Sequence, residues 1–137
     1  MSPIQVTCAI IVKEGKVLAA QRSETMALPL KWEFPGGKLM KGESEEECLK
    51  REIQEELNIS IAIKSKLTTN IHDYGNFTIA LIPFLAEYVS GEIKLHEHRQ
   101  IGWFTKEQLN TLDWAPADIP ILYELLSHDQ ECRQKNA

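Results

Sequence analysis

An α/β fold with a mixed sheet packed between helices is predicted by this sequence, and three observations carry the prediction. Residues 6–12 form a nearly unbroken apolar run rich in β-branched side chains, as in a strand buried on both faces. Ser44 and Glu47 make the S-x-x-E pattern of a capping box, which opens a helix. Residues 117–126 give a second, apolar helix late in the chain. Mixed strands with a central and a late helix pack as a sheet covered by helices.

The elements follow in order. Lys13-Glu14-Gly15-Lys16 predicts a turn, and residues 17–22 a second strand. Residues 23–31 make a loop. Trp32-Glu33-Phe34 is a short strand stopped by Pro35-Gly36-Gly37. The helix should run from Glu45 to about Leu57, where Asn58 leaves it, because asparagine tolerates the left-handed conformation used at helix ends. Residues 59–71 and 77–89 are two long strands around a turn at 72–76, with Pro83 marking an edge or a bulge. Ser90-Gly91 turns the chain again, residues 101–104 form a short strand, and Thr105 with Gln108 caps a short helix. From Ser127 the chain is a polar tail, and residues 1–137 are expected to make one domain.

A chain of 137 residues suits one hydrophobic core. Its 43% apolar and 26% charged residues match a soluble globular protein. No run of about eighteen apolar residues is available to span a membrane. The first residues lack the basic and apolar regions of a signal peptide. Cys8, Cys48 and Cys132 form no CxxC pair, so neither a zinc site nor a disulfide framework is indicated. A reducing cytoplasm is therefore expected. The net charge of −5, with no basic stripe, argues against binding long nucleic acids. A small anionic substrate stays open, because bound metal ions can supply positive charge. Monomer and homodimer are both compatible with the sequence.

The most informative segment is residues 36–59, which hold Glu43, Glu45, Glu46, Glu47, Glu52, Glu55 and Glu56. A solvated acidic helix face is the ordinary meaning of such a cluster. At about 100° per residue, Leu49, Ile53 and Leu57 define a buried stripe, with Glu56 at roughly −20°, Glu52 at roughly −60° and Glu55 at roughly −120° from Leu49. Glu56 then borders the core, and all three carboxylates share one flank. Like charges at such spacings repel, and a hard divalent cation offsets that repulsion, since Mg²⁺ prefers oxygen ligands. Arg51 precedes the cluster, and its fork can grip a carboxylate, with Glu55 as its i+4 neighbour, or make only a surface ion pair. Gly36 and Gly37 either turn the chain or let the backbone approach a ligand closely. The spacing of Gly37, Gly42 and Ser44 imitates a P-loop, but Glu43 stands where the lysine must be, and an acid there repels phosphate.

Gly37, Glu43 and the run Arg51-Glu52-Ile53-Gln54-Glu55-Glu56-Leu57-Asn58-Ile59 resemble the Nudix box, G-x5-E-x7-R-E-U-x-E-E-x-G-U. Every specified position fits except Asn58, where the family has glycine. Trp32-Glu33-Phe34-Pro35-Gly36-Gly37 is similar to the MutT branch in particular. The resemblance implies an α/β/α sandwich and hydrolysis of a nucleoside diphosphate linked to a further group. In MutT-like members that group is usually phosphate, so a nucleoside triphosphate gives a monophosphate and pyrophosphate. It also implies Mg²⁺, or Mn²⁺, held by Glu52, Glu55, Glu56 and the Gly36 carbonyl, with Glu43 and Arg51 in support. Glu97 is the candidate for the later carboxylate that some members add as ligand or base. His96 and His98 flank it either as ligands or, more commonly for alternate loop residues, facing solvent.

On the substrate side, the resemblance points to Arg22, Glu33, Phe34, Pro35, Gly36 and Asp118. Arg22 is equally well a solubilising surface residue. Trp32 and Phe34 lie on one strand face, opposite Glu33, and present rings either to a base or to the core. In the MutT branch an asparagine stands where Asp118 does and reads the base. Asp118 is also placed to cap the last helix. Ionised, Asp118 only accepts hydrogen bonds and suits the N1–H and N2–H₂ donors of a guanine-type base. That puts an oxidised guanine nucleotide such as 8-oxo-dGTP first, with nucleotide-pool sanitation as the role. Protonated, Asp118 suits cytosine, and Ala-Pro-Ala-Asp-Ile-Pro and His-Glu-His resemble the family's cytidine triphosphate pyrophosphohydrolases. A binding-only Nudix domain is the alternative of another class. The presence of Glu52, Glu55 and Glu56 favours catalysis, since binding-only members often lose them.

Overall fold

The computed structural model describes residues 2–136, with side chains described through Ser127. Strand β1 (Ile4–Lys13) is the centre of the fold. It pairs antiparallel with β2 (Lys16–Gln21) across the expected turn and parallel with β7 (Thr78–Ser90) on its other side. The main path also takes in β3 (Trp32–Glu33), outside β2, and β5 (Ser60–Lys66), outside β7. Three further strands complete the mixed sheet: β4 (Gly36–Lys38) on β1, β6 (Asn70–Asp73) on β7 and β8 (Gln100–Phe104) on β2.

Side chains alternate across β1 and thereby build two cores. Cys8 and Ile10 face one way, joining Val17, Phe34, Trp114 and the last helix, α3 (Ile119–Asn136), through Ile121 and Leu125. Ala9 and Ile11 face the other way, against Leu49, Ile53 and Leu57 of α1 (Glu45–Leu57). The result is the predicted sheet between helices. A single turn, α2 (Lys106–Leu109), is closed by the Thr105–Gln108 capping box. Helix α1 starts at the Ser44–Glu47 capping box and ends on Asn58 at φ 62°, both as expected.

Four local expectations are corrected. Gly36 and Gly37 are not a stop but the start of β4, opposite Cys8 and Thr7. A Cβ on Gly36 would lie 2.0 Å from the Thr7 carbonyl oxygen, so the glycine is needed for close strand packing. The expected strand over residues 59–71 is two strands, β5 and β6, broken at 67–69. Pro83 is on a central strand, not an edge. It lies opposite that break, since β5 ends at Lys66 facing Phe84 and β6 begins at Asn70 facing Leu81, so its missing N–H deprives no ladder there. The last helix, expected over 117–126, is preceded by a 3₁₀ turn at Pro116–Asp118 and continues through the polar tail to Asn136. The side chain of Cys132 lies outside the described residues, while Cys8 and Cys48 are buried and free. No helix is long and apolar enough to cross a membrane among the described residues.

Candidate active site

Glu52, Glu55 and Glu56 share one flank of α1, which has a solvent-facing outer edge and a core-facing inner edge. On the outer edge, Arg51 is the hub. Its Nε and Nη2 grip Glu43 at 3.1 and 2.7 Å, and its Nη1 reaches Glu52 at 2.8 Å and Glu55 at 3.2 Å. The expected Glu55 contact is present, but the two-pronged grip falls on Glu43, which also takes the Met40 N–H at 2.8 Å. Arg51 holds Glu43 down at about 2, and the same carboxylates hold Arg51 well above its usual range. Glu52 is pressed against Gly37, where a Cβ would come within 2.2 Å of its carboxyl. Glu55 is 61% exposed on its side chain.

On the inner edge, Glu56 borders the core as the helical wheel predicts, with its side chain 22% exposed. Burial pushes it up to about 9, helped by Glu33, Glu52 and Glu97 nearby. Its Oε2 is buried without a hydrogen-bond partner. Facing it at 4.0 Å is Nδ1 of His98, also buried and unpartnered. His98 is 7% exposed, which corrects the expectation that both loop histidines face solvent; His96 and Glu97 do face it. The burial follows from β8 pairing with β2, continued by the Arg99 N–H to the Gln21 carbonyl at 2.9 Å. The other ring nitrogen of His98 lies 2.7 Å from Glu33 Oε2, and Glu33 Oε1 takes Arg22 Nη1 at 2.8 Å.

A cleft of ≈ 230 Å³ opens beside this edge, lined by Arg22, Glu33, Phe34, Gly36, Glu56 and Asp118, among others. Those six expected residues are therefore brought together. Glu52, Glu55 and Glu97 stand outside the lining, and so does Pro35, which is buried with its carbonyl bonded to the Ala9 N–H at 2.8 Å. Trp32 packs edge-on against Phe104 and Phe34 against Trp114, so both rings serve the core, with Phe34 also at the cleft. Asp118 does not cap the helix. It is 5% exposed, and its Oδ2 takes the Phe34 N–H at 2.9 Å. Burial pushes Asp118 well above the usual carboxylate range, with Glu33 adding to the shift. Tyr74 and Phe77 also line the cleft, with their rings 5.3 Å apart. Sequence reasoning placed them in and beside a turn; two aromatics bracketing Gly75-Asn76 were the available signal.

Two aspects of the donor set bear on a cation. Among the described residues, no three His, Cys, Asp or Glu side chains form a ready ligand group. Yet an unpartnered buried carboxyl oxygen, crowded by three other acids, is what a divalent cation would satisfy, and its oxygen chemistry suits Mg²⁺. The residues at the inner edge therefore fit such a group.

A family model described as NUDIX domain matches residues 1–125. A CTP pyrophosphohydrolase of Escherichia coli is 34% identical over 122 residues, covering 89% of this chain and 90% of the relative. An 8-oxo-dGTP diphosphatase of Haemophilus influenzae is 32% identical over 126 residues, covering 90% and 92%. The solution structure of the E. coli ORF135 protein superposes with a TM-score of 0.82 at 32% identity, over 93% of this chain and 91% of that one.

Proposed function

This chain belongs to the Nudix family as a MutT-like member, and on that premise we propose that it hydrolyses nucleoside triphosphates to monophosphates and pyrophosphate with a divalent cation, Mg²⁺ or Mn²⁺. The observation that carries this is the unpartnered Glu56 carboxyl oxygen in the lining of the cleft. Glu56, Glu52, Glu55, Glu97 and the Gly36 carbonyl would hold the cation. When bound, it supplies charge for the departing phosphate oxygens and lowers the pKa of water. Arg51 and Glu43 keep Glu52 and Glu55 in fixed orientations, which lowers the reorganisation required during reaction. Glu97, exposed and close enough to Glu56 to raise it, is placed to take the proton from the attacking water. One P–O bond of the anhydride breaks as the water oxygen bonds to phosphorus. The proton passes on to solvent, and the phosphate oxygen on the far side of the broken bond leaves with the electron pair.

Arg22, fixed by Glu33 and by the Ala27 carbonyl, presents its charge at the cleft for a phosphate. The base lies toward Asp118. Burial and Glu33 favour the protonated form of Asp118, and that form offers an O–H donor beside a carbonyl acceptor, as an asparagine offers N–H beside C=O. This revises the pairing argued above for an ionised side chain. An oxidised guanine carries a proton on N7 beside O6 and presents the matching pair, which supports 8-oxo-dGTP as substrate and sanitation of the nucleotide pool as role. Cytosine presents the same pair through its amino group and N3, so a protonated Asp118 equally favours the cytidine-type reading. Ordinary guanine presents N1–H beside O6 as well, so this pair alone does not separate it from its oxidised form.

Residues 1–137 are taken as one such domain in a reducing cytoplasm, acting on a small nucleotide as monomer or homodimer. The test is a nucleotide panel with Mg²⁺, following pyrophosphate against phosphate. Pyrophosphate release is expected; no turnover of any nucleotide would favour a binding-only domain. Asp118→Asn should keep the base preference, whereas Asp118→Ala should cost about 1–3 kcal/mol of discrimination. A preference reversed by Asp118→Asn would mean that Asp118 acts ionised.

A further inference from the structure

The His98 ring sits between two carboxylates but is satisfied by only one. Nε2 lies 2.7 Å from Glu33 Oε2, and Glu33 is anchored in turn by Arg22. A neutral ring that donates Nε2–H to Glu33 carries its lone pair on Nδ1. That atom faces Glu56 Oε2 at 4.0 Å, and both are buried without partners. Neither atom has a partner, and native sites that contain such groups complete them with a water or an ion. A water supplies hydrogen bonds but no charge. A carboxyl oxygen and an imidazole nitrogen facing each other are donors that a divalent metal takes together. The separation is too long for a hydrogen bond and close to twice the ~2 Å length of a metal–oxygen or metal–imidazole bond. A carboxylate behind the far nitrogen is the usual support of a metal-ligating histidine, fixing its tautomer and ring plane. Glu33 occupies that place.

We infer that His98 Nδ1 is a direct nitrogen ligand to the divalent cation held by Glu56, giving the site a mixed nitrogen and oxygen donor set. This rests on the cation-dependent reading proposed above. Imidazole favours the transition metals over Mg²⁺, so Mn²⁺ binds more tightly than Mg²⁺ and owes its advantage to His98. Because Glu33 holds both His98 and Arg22, the same ring joins the cation to the phosphate-facing side of the cleft.

Pulsed electron paramagnetic resonance of the Mn²⁺-loaded full chain tests this without turnover. A ¹⁴N imidazole coupling is expected, shifting in protein grown with ¹⁵N-histidine and absent in His98→Gln. Equilibrium titration should show Mn²⁺ affinity falling about tenfold or more in His98→Gln, and Mg²⁺ affinity falling less. Mn²⁺ that is displaced by Glu56→Gln but shows no nitrogen coupling in the wild type would overturn the inference and leave a bridging water in its place. A coupling that persists in His98→Gln would overturn it as well. Mn²⁺ binding that is absent, or indifferent to Glu56→Gln, would instead remove the underlying cation reading. The wild-type spectrum decides the matter even where His98→Gln fails to fold.

Discussion

The outer and inner sides of the acidic flank of α1 carry the same residue type in opposite states. On the outer edge, Glu43, Glu52 and Glu55 share one arginine, which pairs with each of them and offsets part of their charge. On the inner edge, Glu56 borders a cleft among other acids, with a buried oxygen that no protein group satisfies. The outer-edge acids already have a protein partner in Arg51; the buried Glu56 oxygen has none. The difference teaches that the count of carboxylates in the box says less than which of them the fold leaves unpaid.

The largest test of this contrast is Glu56→Gln. It should lower kcat on the order of 10³-fold, while the Tm of the metal-free protein stays unchanged or rises, because an uncompensated buried carboxyl is replaced by a neutral isostere. A Tm several degrees lower would show that Glu56 stabilises the fold, and the contrast would be lost. The two glycines sharpen it next. Gly36→Ala drives a Cβ into the backbone of β1 and should cost about 1–3 kcal/mol in stability, measured by denaturant unfolding. Gly37→Ala meets only the Glu52 side chain, so stability should fall by less than about 1 kcal/mol. Its kcat should drop about tenfold as Glu52 leaves its place beside Arg51. Equal stability losses in the two variants would mean that Glu52 is held rigidly enough to act as part of the core.

How much of this was legible in the sequence depended on the range of the interactions. Helix α1 was legible to the residue, because capping box, apolar stripe and left-handed Asn58 are all local signals. The strand made by Gly36 and Gly37 was not, since its partner is Cys8 and Thr7 about thirty positions away, and a glycine pair looks like a turn until that pairing is known. The 67–69 break that makes Pro83 acceptable in mid-sheet is likewise visible only across strands. In the site, Glu56 was placed correctly by helical geometry alone. His98 was not, because alternation in a loop does not say which side chain the neighbouring β8–β2 pairing turns inward. Asp118 was singled out, but its upward shift comes from burial and from Glu33, far earlier in the chain, against the Phe34 N–H that favours the ionised form, and no local pattern records these.

The smallest expected effect tests the outer edge by pH. Arg51 holds Glu43 at about 2, below the ordinary 4.5. A carboxylate depressed on folding contributes stability that is present above its ordinary pKa and lost as pH falls through the folded value. The contribution of Glu43 should therefore be complete above pH 4.5 and fade between 4.5 and about 2. Comparing wild type with Glu43→Gln cancels the groups that both proteins share, including buried Asp118 and Glu56, whose shifts run the other way. The Tm difference between the two should be constant from pH 7 to 5 and shrink at pH 4 and 3, with the variant less stable where the difference is full. A difference that instead grew on acidification would mean that Glu43 is protonated more readily in the folded state. Arg51 would then act mainly on Glu52 and Glu55, and the outer edge would not be the paired network that sets off Glu56.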